Sequence, residues 1–242
     1  YRNDHVSPSV YVLFEITEIP KLHGALSELF HANLSTPKKL YASIWTTTPW
    51  TLPANLAICV GDHIQYSVVA DEATSQHFVI ASDLVDSLAS TTGKTFVKVL
   101  ENIPGSALVG ARCNHPLDAA RKSVILSGTH VTTESGTGLV HTAPGHGQDD
   151  FVVCKANGIP PLCPVDDTGH FTMEAGEKFV GKFVLKEGNA AVIAALSEVP
   201  GALLFRHDYT HKYPYDWRTK KPVIVRATRQ WFADLRLISQ SS

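Results

Sequence analysis

The chain has 242 residues, 44% of them hydrophobic and 18% charged, with a net charge of −2. That length supports a sizeable core, and that balance excludes wholesale disorder. Near-neutral charge also argues against a nucleic-acid binder built on bulk electrostatics, so any polyanion contact must be local.

In chain order, period-two apolar alternation with β-branched and aromatic residues predicts strands at 10–16 (VYVLFEI), 40–46 (LYASIWT), 56–60 (LAICV), 65–70 (QYSVVA) and 77–81 (HFVIA). A helix is predicted over 82–90, capped by Ser82. Strands resume at 95–100 (TFVKVL), 123–127 (SVILS) and 138–142 (GLVHT). Two more helices follow, over 147–158 with Gly158 as its stop, and over 187–199. Short strands divided by Gly, Pro, Asn and Asp turns point to a barrel or strongly bent sheet, hence an α+β fold with a β-barrel-like core of mixed strands. Without a repeat, low-complexity tract or linker, residues 1–242 read as a single domain.

Residue 1 is Tyr1 and the single methionine is Met173, so the chain reads as a piece of a longer protein. No apolar run approaches the roughly 20 residues needed to span a bilayer, and the first ten residues lack a signal-peptide pattern. Cys59, Cys113, Cys154 and Cys163 form no C-x-x-C pair, which supports neither a zinc ribbon nor a disulfide framework. Composition shifts only at 207–231, where Lys212, Arg218, Lys220, Lys221, Arg226 and Arg229 face Asp208 and Asp216, a local balance of +4. Such a run is either a solvated face or, with aromatic residues interleaved, a groove for a nucleic-acid backbone.

The densest polar stretch is WTTTPWTLPAN, residues 45–55. In an extended chain Thr46 and Thr48 face one side and Thr47 the other. Pro49 holds Thr48 extended and then turns the chain, which allows Thr51 to return to the same pocket. Hydroxyls donate and accept hydrogen bonds in little volume, so the cluster suits holding a water beside a small substrate, although threonines are also ordinary strand residues.

Its partner is ESGTGLVHTAPGHGQDDF, residues 134–151, whose glycines suit a strand-turn-helix corner around a ligand. His141 falls at a strand end and Asp150 in the first turn of the next helix. Successive helical positions are about 100° apart, so only one of Asp149 and Asp150 faces a given pocket. His141, His146, Asp149 and Asp150 are metal-ligand types, but their spacing matches no zinc signature; the other reading is a carboxylate that grips an ammonium group. No G-x-S-x-G elbow is present, which argues against an acyl-enzyme.

Together these two stretches resemble the inserted editing domain, CP1, of isoleucyl-tRNA synthetases, bacterial or organellar in type. The flanks SPSVYVLFEI and YPYDWRTKKPVIVRATRQWF resemble the ends of that insertion. The relatives that charge valine and leucine carry an arginine where Thr48 stands. The resemblance implies a barrel-like core ringed by helices, with 1–20 and 207–242 as ribbon segments toward the synthetase body. It implies hydrolysis of valine wrongly esterified to isoleucine tRNA, with the tRNA 3′ end and the rest of the synthetase in cis as partners and no cofactor or metal. It places the chain in the cytoplasm or in a mitochondrial or plastid matrix, not in a membrane. One methylene is worth only about 1–3 kcal/mol in a pocket, a rule for which isoleucyl enzymes are themselves the usual illustration, so a second sieve is needed.

By the same resemblance Asp150 holds the α-ammonium, His141 is the size gate, and Thr46, Thr47, Thr48 and Thr51 line the site and position water. Gly145 and His146 are expected at the substrate, and Asn55 supports the tRNA terminus or its loop. Trp50 either packs on the terminal adenosine or belongs to the core, and Arg218, Lys220 and Lys221 are candidate tRNA contacts. Related editing domains of other specificity, or an inactive tRNA-binding module, are the alternatives.

Overall fold

The computed structural model describes residues 1–19 and 39–231, with Gly24, Leu26, Glu28 and Leu29 between them; position 20 and positions 232–242 of the expected flanks lie outside the described residues. Ten strands form one sheet: β1 (Arg2–Glu18), β2 (Leu40–Thr46), β3 (Ala57–Val60), β4 (Gln65–Asp71), β5 (His77–Ala81), β6 (Phe96–Pro104), β7 (Arg112–His115), β8 (Asp118–Ser127), β9 (Leu139–Thr142) and β10 (Leu203–Tyr213). The hydrogen-bonded order β1-β7-β8-β3-β9-β2 closes on itself because β2 also pairs with β1, Val10 opposite Thr46. The closed ring has six strands of mixed direction, with β3 parallel to β8, β2 parallel to β9 and the other pairs antiparallel. The fold is therefore α+β around a mixed barrel, as its short, turn-divided strands imply.

Burial follows this architecture. Strands β3 and β5 are covered on both faces and read as unbroken apolar runs rather than alternating ones. Strand β1 changes character along its length. From Val10 to Phe14 it is a fully buried barrel stave, whereas its first residues alternate with solvent and pair with β10 in a two-stranded ribbon, His5 opposite His211. The sequence pattern locates the stave, but the ribbon half of β1 and all of β7 and β10 lie outside the predicted strands: the inward positions of the ribbon carry mostly Ser, His and Tyr rather than aliphatic residues, and β7 is only four residues long.

Among the described residues three helices, α1 (Val85–Thr92), α2 (Gln148–Ala156) and α3 (Asn189–Glu198), answer the predicted stretches. Helix α1 runs two residues past its predicted end at 90, and Ser82 is not its cap: it opens a 3₁₀ turn, Ser82–Leu84, and its hydroxyl lies 2.8 Å from that of Ser67. Gly93 ends α1 with φ +67°, the left-handed conformation that glycine adopts without a Cβ penalty. A π-helical turn, Val184–Gly188, leads into α3, which packs against a 3₁₀ segment, Pro49–Ala54, that follows β2. The Asn189 side chain accepts the Trp50 N–H at 2.9 Å and so ties that segment to the helix. Among the described residues no helix is long and apolar enough to cross a membrane.

Candidate active site

The threonine run sits where β2 leaves the barrel. Strand pairing stops at Thr46, so the two-sided alternation expected for Thr46, Thr47 and Thr48 stops too, and all three line one cleft of about 340 Å³. The Thr46 hydroxyl lies 3.2 Å from that of Thr48 and accepts the Thr48 N–H at 3.1 Å, which folds the chain over itself ahead of Pro49. The 3₁₀ turn brings Thr51 back to the same cleft, where its hydroxyl donates to the Thr48 carbonyl at 2.9 Å.

His141 forms the wall beside Thr51. It projects from β9, paired with Ile58 of β3, and is buried. Both ring nitrogens are engaged: Nδ1 lies 2.7 Å from the Asn55 amide nitrogen and Nε2 lies 2.9 Å from the Thr51 hydroxyl. The Ser123 hydroxyl donates to Asn55 Oδ1 at 2.6 Å, which fixes the amide orientation and makes Nδ1 of His141 the acceptor. His141 is then the Nε2–H tautomer, donating to Thr51. Burial pushes its pKa down to about 3, with His115 and His146 adding to the effect. It is a neutral, fixed ring.

Asp150 faces the cleft from the first turn of α2. Gly147 just before the helix makes room, because a Cβ there would sit 2.7 Å from the Asp150 carboxyl carbon. The carboxylate accepts the Ala143 N–H at 2.8 Å. Burial still raises its pKa above the usual carboxylate value, against the pull of that N–H and of His130 nearby. Asp149 is exposed and does not line this cleft. Three of the four candidate metal ligands share the cleft, but among the described residues no three His, Cys, Asp or Glu side chains cluster so as to hold a metal ion.

The cleft thus gathers Thr46, Thr47, Thr48, Thr51, His141, His146 and Asp150. It does not gather the others. Trp50 is a core residue, 3% exposed, and the aromatic ring at the cleft is Trp45. Asn55 is wholly buried behind His141 and supports that ring instead of facing a ligand. Gly145 is a packing glycine: a Cβ would meet the Leu162 carbonyl at 2.1 Å, and its own carbonyl accepts the Ala227 N–H at 2.7 Å. His146 lies 2.9 Å from the Val225 carbonyl through Nδ1, and burial lowers its pKa. Arg218, Lys220 and Lys221 are exposed on a turn beyond β10, where the Asp216 carboxylate accepts the Thr219 N–H at 2.6 Å. None of the three lines the cleft.

Sequence reasoning missed His130 and Thr132, which also line the cleft. The His130 Nε2 is buried without a hydrogen-bond partner among the described residues. Nothing local in GTHVTT marks these positions; the barrel closure brings them there.

No protein-family model matches the chain. Isoleucine-tRNA ligases match it closely: that of Synechococcus sp. is 50% identical over 235 residues, 97% of this chain and 24% of the relative. The ligase of Thermosynechococcus vestitus is 50% identical over 97% of this chain, and that of Parasynechococcus marenigrum 48% over all of it. The chain spans about a quarter of the length of these relatives. In fold it is similar to GlLeuRS-CP1, with TM-score 0.56 and 16% identity over 81% of this chain and 89% of that one. It is also similar to the editing domain of P. falciparum cytosolic leucyl-tRNA synthetase, with TM-score 0.60 and 10% identity over 81% of this chain and 99% of the other. The chain therefore corresponds to one segment of the isoleucine-tRNA ligase family, with the fold of its class I synthetase editing domain, CP1.

Proposed function

We propose that this segment is a post-transfer editing hydrolase that deacylates Val-tRNA(Ile), working on the tRNA 3′ end with the remainder of the synthetase in cis, without a cofactor, in whichever compartment holds the parent ligase. The observation that carries this reading is the meeting of a desolvated carboxylate, a rigid neutral imidazole and a run of hydroxyls in one cleft.

Each group supplies one part. Asp150 is an under-compensated anion, and an amino-acid ammonium restores its balance with a charge-assisted hydrogen bond. With both nitrogens committed, His141 takes no part in proton transfer without breaking a bond, so it acts by volume and bars the bulkier isoleucyl side chain. The hydroxyls of Thr46, Thr47, Thr48 and Thr51 orient a water toward the ester carbonyl and donate to the developing oxyanion, which suffices for an already labile ester.

The test is single-turnover release of valine, isoleucine and threonine from matched aminoacyl-tRNAs, with and without EDTA. Fast valine release that ignores EDTA is expected. Equal rates for valine and isoleucine, or loss of activity with the chelator, would end the proposal.

A further inference from the structure

One conspicuous feature of the fold takes no part in the cleft chemistry. On β10 every second residue is aromatic: Phe205, His207, Tyr209, His211 and Tyr213. Alternate strand residues share a face, so these rings form a single row. Neighbouring ring centroids lie 5.6, 6.1, 5.8 and 5.7 Å apart along it. The first four are half-buried, neither sunk in the core nor free.

Two details give the row a direction. Opposite it on β1 stand the small residues Ser7 and Ser9, whose hydroxyls lie 2.9 Å from His211 Nε2 and 3.4 Å from His207 Nδ1. Tyr209 in turn meets the Trp45 ring edge-on at 5.1 Å, and Trp45 lines the cleft. The aromatic surface therefore runs without a break from the ribbon to the cleft. Cations lie at its outer end, where Arg218, Lys220 and Lys221 are exposed at the turn beyond β10; the opposite face of the strand is mixed, with Arg206 and Lys212 flanking exposed Asp208. The +4 balance of 207–231 stands against −6 for the rest of the chain.

We propose that this row is a stacking track for the single-stranded 3′ end of an RNA whose terminus enters the cleft. The proposal rests on the reading of the cleft as an RNA ester site. Rings offer every base a π-face irrespective of sequence, and the cations of the turn beyond β10 meet the phosphates. The occupant is identified by that combination, since an aromatic row alone would suit many partners and a basic turn alone would suit any polyanion.

The experiment titrates this chain with a short single-stranded RNA that carries no amino acid, at several salt concentrations. Tyr209→Leu and His207→Leu each remove the π-face of a half-buried ring; each is expected to weaken binding by roughly 5- to 150-fold with the salt slope unchanged. Tyr209→Phe, which keeps the ring, should bind as the parent does and serves as the folding control. Lys220→Gln with Lys221→Gln should instead lower the slope by about 2. Binding of both leucine variants within twofold of the parent, or no RNA binding by the parent, overturns the track. Hydrolysis of the valyl ester is assayed in parallel. Ring-dependent RNA binding without hydrolysis refutes the editing proposal and upholds the track, whereas hydrolysis with ring-independent binding does the reverse.

Discussion

The two sides of the cleft are finished to different degrees. On the barrel side, Ser123, Asn55, His141 and Thr51 form a closed chain of hydrogen bonds in which each imidazole nitrogen and the Asn55 carbonyl oxygen have a partner. On the helix side, Asp150 has one backbone donor and an elevated pKa. A satisfied network is rigid and gives shape. A carboxylate short of compensation gives affinity for a cation. One wall measures the side chain, and the other holds the amine.

The largest expected effect comes from breaking the helix side. Asp150→Asn keeps the acceptor for the Ala143 N–H but removes the charge, and valyl ester hydrolysis should fall by about 10²–10³-fold. Because the lost charge was a poorly compensated one, the urea midpoint at pH 7 should hold or rise. A drop in stability with activity retained would assign Asp150 a structural role.

Breaking the barrel side should change selectivity instead. His141→Ala removes the wall, so isoleucyl ester becomes a substrate and the preference for valine shrinks by roughly 10–200-fold. The same change strands Asn55 and Thr51 and leaves a hole, at a cost of about 2–4 kcal/mol in unfolding free energy. Unchanged relative rates for the two esters would show that the gate lies elsewhere.

The smallest effect sharpens the contrast through pH. His141 titrates near 3 and His115, buried with Nε2 at 2.9 Å from the Leu52 carbonyl, near 4, both pulled down chiefly by burial. Below about pH 6.5 the unfolded chain takes up protons that these folded rings refuse, so their stabilisation is complete above that pH and drains away as the pH falls toward 4 and 3. By pH 5 each should have cost about 2 kcal/mol, read as a falling urea midpoint. Asp150 has the opposite sign, since its raised pKa lets the folded state take a proton first. A midpoint that is flat from pH 7 to 5 would contradict the buried, neutral assignment.

What the sequence discloses follows the range of the interactions. The threonine run and the Asp150 corner are each built within about a dozen residues, so their chemistry is visible in a local stretch. The support behind His141 is not, because Asn55, Ser123 and His141 sit on segments that meet only when the barrel closes. The same holds for His130, for Trp50, which the 3₁₀ turn sends into the core, and for Trp45, which stands on β2 where that strand borders the cleft. Strand β10 escapes an apolar template because its shared face is written in His and Tyr, yet its period of two is there. Strand β7, only four residues long, offers too little pattern to register.

Because β1 passes from ribbon to barrel with no intervening turn, it acts as a ruler as well as a stave. Val10, whose partner Thr46 borders the cleft, is eight residue steps along β1 from Arg2, so the ribbon's outer end stands ~26 Å from the chemistry along one continuous strand. Deleting a single residue between them would shorten that reach by only ~3 Å but would turn over the β1 side chains beyond the deletion and move His5 off the face it shares with His211 and Tyr213.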